Sequence, residues 1–119
     1  MPPRDRAVRP RPRNDAERRA ARWYRWRGYR ILATNCWIGG FELDLVARRG
    51  RALVFCEVKS KNGDGFGDPL EMVTREKARR VRRAAEMWLA VHPDLRPLDA
   101  RFDVIAARRG RLTHVPDAF

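Results

Sequence analysis

The spacing of apolar residues predicts a helix near the start of the chain. Apolar side chains recur every three or four residues at Ala16, Ala20, Trp23 and Tyr24. Asn14 can cap this helix, with Glu17 three positions on as its capping-box partner. Gly28 is expected to end it.

Three predicted strands follow this helix. Apolar and polar residues alternate over residues 29–35, and two strongly apolar runs occupy residues 41–48 and 51–59. Arg49 and Gly50 form a predicted tight turn between the second and third runs. Because the links are short, we expect an antiparallel meander.

A second helix and two further strands complete the pattern. Residues 62–67 are rich in glycine and predict a mobile loop. The helix that follows can start at Asp68-Pro69 or at Thr74, and it runs to about Val91, before Pro93. Its predicted buried stripe consists of Leu70, Val73, Val81, Ala84, Ala85, Trp88 and Leu89.

The last two strands are expected over residues 101–107 and 112–115, the first of them reached by a helical crossover. The element order is therefore α-β-β-β-α-β-β. This order predicts the α/β class, with a mixed sheet that has a helix on each side.

Charged residues lie inside the two most apolar runs. Asp44 lies between Leu43 and Leu45, and Glu57 and Lys59 end the next run. Strands of this kind are covered on both faces, where an unpaired charge costs several kcal/mol. A divalent cation is the simplest partner for clustered carboxylates, and a lysine nearby suits chemistry on a phosphate.

Hairpin pairing would bring Asp44 and Glu57 together, where they can bind one Mg²⁺ or Mn²⁺ ion. The backbone carbonyl of Val58 could add a ligand, and Lys59 could orient the attacking water or offset charge in the transition state. Glu17 could reach the same metal directly or through water. For Glu17, the capping box is an equally good interpretation.

The charge of the chain favours a polyanionic partner. Its 119 residues include 27 Lys+Arg and 15 Asp+Glu, which gives a formal net charge of +12 and a pI near 11.3. Residues 1–13 predict a disordered basic arm, followed by one domain at residues 14–119. A merely solubilising basic surface is the alternative.

Basic residues concentrate on the second helix. We interpret four of them, together with Lys61 just after the third predicted strand, as a surface for nucleic acid, with an all-round solvated charged face as the alternative. The five residues are Lys61, Lys77, Arg79, Arg80 and Arg83.

Several classes of protein are excluded or disfavoured. The sequence has no P-loop, no GxGxxG and no Ser-His-Asp arrangement, and its two cysteines lack zinc-ligand spacing. No apolar run is long enough to span a membrane, and no signal peptide is recognisable. We therefore expect a cytoplasmic protein without a disulfide framework.

The runs at residues 42–47 and 54–59 resemble the YraN family of small bacterial proteins. The likeness covers nearly everything after the basic arm and extends to Glu17, residues 28–32, Asn35, residues 66–67, Lys77, residues 101–104 and residues 118–119. It implies a restriction-endonuclease-like PD-(D/E)XK fold, similar to that of Holliday-junction resolvases. The residues at its acidic-helix, Asp and Glu-x-Lys positions are Glu17, Asp44, Glu57 and Lys59.

Two positions depart from the pattern of that family. Phe41 stands where the family usually has glycine, and Lys61 stands where it usually has arginine. Lysine lacks the bidentate grip that arginine has on a phosphate, so Lys61 bears on substrate affinity more than on metal binding.

These features together predict a metal-dependent endonuclease that hydrolyses DNA, with branched or distorted DNA as a candidate substrate. A homodimer would suit symmetric cutting of two strands. The alternatives are a nonenzymatic nucleic-acid-binding scaffold on a nuclease fold, or a docking subunit of a repair or recombination assembly.

Overall fold

The computed structural model describes residues 15–61, 74–108 and 110–119. Within these ranges lie two helices, α1 (Asp15–Trp26) and α2 (Arg75–Ala90), and a short 3-10 turn, Pro93–Leu95. The strands are β1 (Arg30–Ile38), β2 (Phe41–Arg49), β3 (Ala52–Lys61), β4 (Asp99–Arg108) and β5 (Arg111–Val115). The α/β class and the element order are confirmed. The predicted basic arm, its neighbour Asn14 and the glycine-rich loop lie outside the described residues.

The five strands form one sheet in chain order, with β3 at its centre. β1, β2 and β3 pair antiparallel as predicted, β3 and β4 pair parallel, and β4 and β5 pair antiparallel. Val54 and Cys56 of β3 pack toward α1, whereas Leu53 and Phe55 pack toward α2. The helices therefore cover opposite faces of the sheet.

Local sequence signals set the helix ends. Gly28 has a φ of +87°, and the Tyr29 N–H donates to the Tyr24 carbonyl at 3.0 Å, which terminates α1 as predicted. Thr74 caps α2, because its hydroxyl accepts from the Lys77 N–H at 3.1 Å. The other predicted start, at Asp68, lies outside the described residues. Neither described helix is long and apolar enough to cross a membrane.

The predicted stripe of α2 is buried at every position that the structure describes. These positions are Val81, Ala84, Ala85, Trp88 and Leu89. The remaining two, Leu70 and Val73, lie outside the described residues.

Several strand ends differ from the sequence prediction by one to three residues, and the differences at two turns matter most. β1 continues past residue 35 to Ile38, which pairs with Phe41 around Gly39 and Gly40. Both glycines have positive φ, +63° and +75°, as the tight type I′ hairpin turn requires. The turn between β2 and β3 lies one residue later than predicted, because Arg49 already pairs with Ala52.

One buried carboxylate ties α1 to the last two strands. Asp103 accepts hydrogen bonds from the Tyr24 hydroxyl at 2.6 Å, from Arg101 at 2.8 Å and from the Asp117 N–H at 3.0 Å, and it contacts His114 at 2.8 Å. Burial raises its pKa, but these partners outweigh burial and hold the pKa below its usual range. Both oxygens are thus engaged in holding the fold together.

Candidate functional site

The candidate site lies where β2 and β3 separate. Their described pairing ends at Leu45 and Cys56. Beyond this point β2 stays with β1, while β3 stays with β4. Asp44 and Glu57 are the next residues on the two diverging strands, so the fork places both carboxylates at one opening in the sheet.

Asp44 replaces a missing sheet partner at this fork. The Val58 N–H donates to Asp44 Oδ2 at 2.9 Å, which satisfies a backbone donor that the strand pairing leaves unused. In an extended strand the N–H and C=O of one residue point to the same edge. The Val58 carbonyl therefore faces the same opening as the Asp44 carboxylate.

Glu57 is buried and holds two lysines. Its Oε2 lies 3.0 Å from Lys59 Nζ and 2.8 Å from Lys77 Nζ. Lys59 shares a face of β3 with Glu57, because side chains alternate along a strand. Lys77 comes from the first turn of α2. The sequence assigned it to the outer nucleic-acid surface, and the structure brings it into the carboxylate cluster.

Glu17 reaches the same region from α1. It is buried, and its Oε1 accepts a hydrogen bond from Asn35 Nδ2 at 3.0 Å. Asn35 has a positive φ of +49°, a conformation that asparagine adopts more readily than most residues. Its Oδ1 is buried without a hydrogen-bond partner in the described part of the chain. Spacing and charge gave no signal for Asn35, and only the family resemblance included it.

The three acidic side chains are electrostatically linked. Burial, followed by the charge of Glu57, raises the pKa of Asp44 to about 7, and the charge of Glu17 acts in the same direction. The hydrogen bond from Val58 works against this rise. Neutral pH is therefore close to the pKa of Asp44, and a positive charge nearby would stabilise the ionised carboxylate.

The pKa values of Lys59 and Lys77 are also shifted by burial and by neighbouring charges. Burial, together with the neighbouring Lys77, lowers the pKa of Lys59. Burial is the largest influence on the pKa of Lys77 and acts to lower it, but its hydrogen bonds to Glu57 and Lys59 and the charges of Glu57 and Asp44 together outweigh burial and raise that pKa. Lys77 is thus the more firmly charged of the two.

The donor set suits a hard divalent cation. Asp44, Glu57, the Val58 carbonyl and Asn35 Oδ1 all offer oxygen, which Mg²⁺ and Mn²⁺ prefer. No three acidic, histidine or cysteine side chains of the described residues converge into a ready metal cage. Glu57 is instead turned to its lysines, so a cation has to compete for its carboxylate.

A basic groove lies beside the N-terminal half of α2. Its volume is about 310 Å³, and it is lined by Gly39, Gly40, Glu76, Arg79, Arg80 and Arg83. Arg80 is paired with Glu76 at 2.9 Å, whereas Arg79 and Arg83 have no ion-pair partner among the described residues. Lys61 lies on β3, and its side chain is outside the described part. The arginines predicted from the sequence therefore do share one surface.

Comparison with known proteins gives a consistent match. A model of the uncharacterised protein family UPF0102 matches residues 16–107, a range that contains every candidate site residue. A UPF0102 protein of Beutenbergia cavernae is 46% identical over 95 residues, which cover 80% of each chain. The UPF0102 protein YraN of Escherichia coli is 36% identical over 104 residues, which cover 87% of this chain and 79% of the relative.

We expect Asp44→Asn to raise the stability of the metal-free protein. The pKa of Asp44, about 7 when folded, exceeds the unfolded value of about 3.9, so its ionisation opposes folding as the pH rises from about 4 to 7. The amide oxygen can still accept from Val58. Urea unfolding in EDTA should show a gain of roughly 1–3 kcal/mol at pH 8 and a smaller gain at pH 5.

Asp99→Asn is the matched control, because Asp99 is exposed at the start of β4 and should change stability by less than about 0.5 kcal/mol. If Asp44→Asn is no more stable than the wild type at pH 8, the conclusion that the ionised Asp44 carboxylate opposes folding is wrong.

Proposed function

We propose that this chain, which belongs to the uncharacterised protein family UPF0102, is a metal-dependent endonuclease that hydrolyses phosphodiester bonds in DNA. The observation that carries the proposal is the fork between β2 and β3, where the half-buried Asp44 lies beside the buried Glu57 and its two lysines. Burial and the charge of Glu57 raise the pKa of Asp44, which is costly to folding, and carboxylates perturbed in this way concentrate at functional sites.

Each residue of the cluster has a distinct part in the proposed hydrolysis. Asp44, Glu57 and the Val58 carbonyl would hold a Mg²⁺ or Mn²⁺ ion, with Glu17 and Asn35 behind them. When bound, that ion supplies Lewis-acid chemistry, polarising the phosphate and acidifying water. Lys59 can donate a hydrogen bond to the scissile phosphate or to the attacking water, and its charge offsets the negative charge that develops in the transition state.

The basic groove supplies the proposed contact with the DNA backbone. Arginine guanidinium groups bind phosphate oxygens with two parallel hydrogen bonds. The turn leaves room at Gly40, where a Cβ would meet nothing within 4 Å, whereas a Cβ on Gly39 would clash with the side chain of Met87. The proposed substrate is branched or distorted DNA. A homodimer would carry two such sites, one to cut each of two DNA strands.

Glu57→Gln should abolish metal-dependent DNA cleavage while leaving DNA binding largely intact. The amide keeps the size of the side chain but loses the charge that would hold the cation. Cleavage of labelled linear, single-stranded and four-way-junction DNA in Mg²⁺, Mn²⁺ or EDTA measures the effect. We expect a loss of at least about a hundredfold.

Glu86→Gln is the matched control, since Glu86 is an exposed glutamate of α2 paired with Arg96. Cleavage by Glu57→Gln at the wild-type rate would overturn the proposed site. Binding by the wild type without any cutting would favour the nonenzymatic scaffold.

Replacing Arg79 and Arg83 together by glutamine should weaken DNA binding and its salt dependence. Two lost phosphate contacts lower the slope of log K against log salt by about 2. The slope is measured by fluorescence anisotropy at salt concentrations from about 50 to about 200 mM. Arg80→Gln should have the smaller effect, because Glu76 already neutralises Arg80. An unchanged slope in the double variant would exclude this groove as the phosphate surface.

A further inference from the structure

The ammonium group of Lys77 lies beside the carboxylates that are proposed to bind a divalent cation. Its Nζ lies 2.8 Å from Glu57 Oε2, and its charge also acts on Asp44. One ammonium group therefore attracts both of the carboxylates that are proposed to bind metal. A divalent cation bound through Glu57 Oε2 would compete with Lys77 for that oxygen, and the two positive charges would repel one another.

The two lysines of the cluster differ in how firmly they are placed. Lys59 lies on β3, two residues from Glu57 and on the same face, and its side chain is the less exposed of the two, 20% against 31% for Lys77. Lys59 can remain beside Glu57 without any change of backbone. Lys77 reaches the site from another element, by the length of its flexible side chain.

The backbone of Lys77 is fixed although its side chain can turn. Its N–H is held by the Thr74 cap at the start of α2. Its Nζ lies 5.9 Å from the centre of the Phe41 ring, within the range in which an aromatic face attracts a cation. Lys77 also lies three residues from Arg80, a spacing at which helical side chains share a face, and Arg80 lines the basic groove. A position away from Glu57 is therefore available to the ammonium group, between Phe41 and the phosphate surface.

We propose that Lys77 is a displaceable counter-ion of the metal site. In the metal-free protein it neutralises Glu57. When a divalent cation binds, Lys77 releases Glu57 Oε2 and turns to a phosphate of the bound DNA, while Lys59 stays at the site. This inference rests on the proposed endonuclease function and adds a regulatory step to it.

Such an exchange links metal binding to substrate binding. A phosphate near Phe41 offers Lys77 a new partner, so DNA lowers the cost of releasing Glu57. The metal likewise frees Lys77 for the DNA. Because linkage between two binding sites is reciprocal, metal and DNA should each tighten the binding of the other. The cluster would then hold its cation firmly only when substrate is present.

Lys77→Met tests this exchange through metal affinity, without any measurement of cleavage. Titration calorimetry with Mn²⁺ alone, on the full chain without DNA, should give a Kd about tenfold lower for Lys77→Met than for the wild type. Lys59→Met should give a smaller gain. Arg75→Met is the control, because it removes the same charge from an exposed position of the same helical turn. Lys77→Gln is the second variant if the methionine variant does not fold.

DNA affinity provides the second readout. Fluorescence anisotropy with labelled DNA should show that Lys77→Met binds about fivefold more weakly than the wild type in Ca²⁺. In EDTA the two proteins should bind alike, because Lys77 is then engaged with Glu57. A Lys77 that only contacts phosphate would lower the affinity equally under both conditions, which would contradict the exchange.

The outcomes separate this inference from the proposed function. Equal Mn²⁺ affinity in the wild type and in Lys77→Met, together with loss of Mn²⁺ binding in Asp44→Asn, would overturn the role of Lys77 and leave the endonuclease site standing. Absence of Mn²⁺ binding in the folded wild type and in both Lys77 variants would overturn the metal site and the exchange together.

Discussion

The structure of the site depends on the separation of β2 and β3 after Leu45 and Cys56. An uninterrupted pairing would place Asp44 and Glu57 side by side in a closed sheet, and the backbone of Val58 would be used up by its neighbour strand. Because the strands part there, an aspartate side chain takes over the Val58 N–H, and the carbonyl of the same residue faces an opening. The separation of the two strands thus provides both the space for the site and its oxygen atoms.

The helices on either face of the sheet complete the charge balance at this fork. α1 brings Glu17 and α2 brings Lys77, while β1 contributes Asn35. The cluster buries acidic groups that destabilise one another, and lysines limit that cost. Apolar residues at these positions would stabilise the fold equally well, because buried ion pairs seldom improve stability over a hydrophobic alternative. The proposed binding of a cation therefore accounts for these residues better than stability does.

The sequence predicted the element types and the strand pairing well, because apolar periodicity and capping residues are local signals. It also selected Asp44, Glu57 and Lys59, since charges inside apolar runs need partners. It did not indicate that Lys77 enters the cluster, because a lysine among helical arginines reads as surface charge until the docking of α2 is known. The role of Asn35 and the extension of β1 depend on a left-handed residue and a Gly-Gly turn whose effect on pairing is visible only in three dimensions.

The most direct test of the proposed metal site is a crystal structure of the protein soaked in Mn²⁺, with the ion located by its anomalous scattering. We expect one peak in the fork, bound by Asp44, Glu57 and the Val58 carbonyl, with Lys77 Nζ moved away from Glu57 and Lys59 still in place. A crystal with no anomalous peak at these carboxylates, or with Mn²⁺ bound elsewhere while both lysines still contact Glu57, would contradict this expectation.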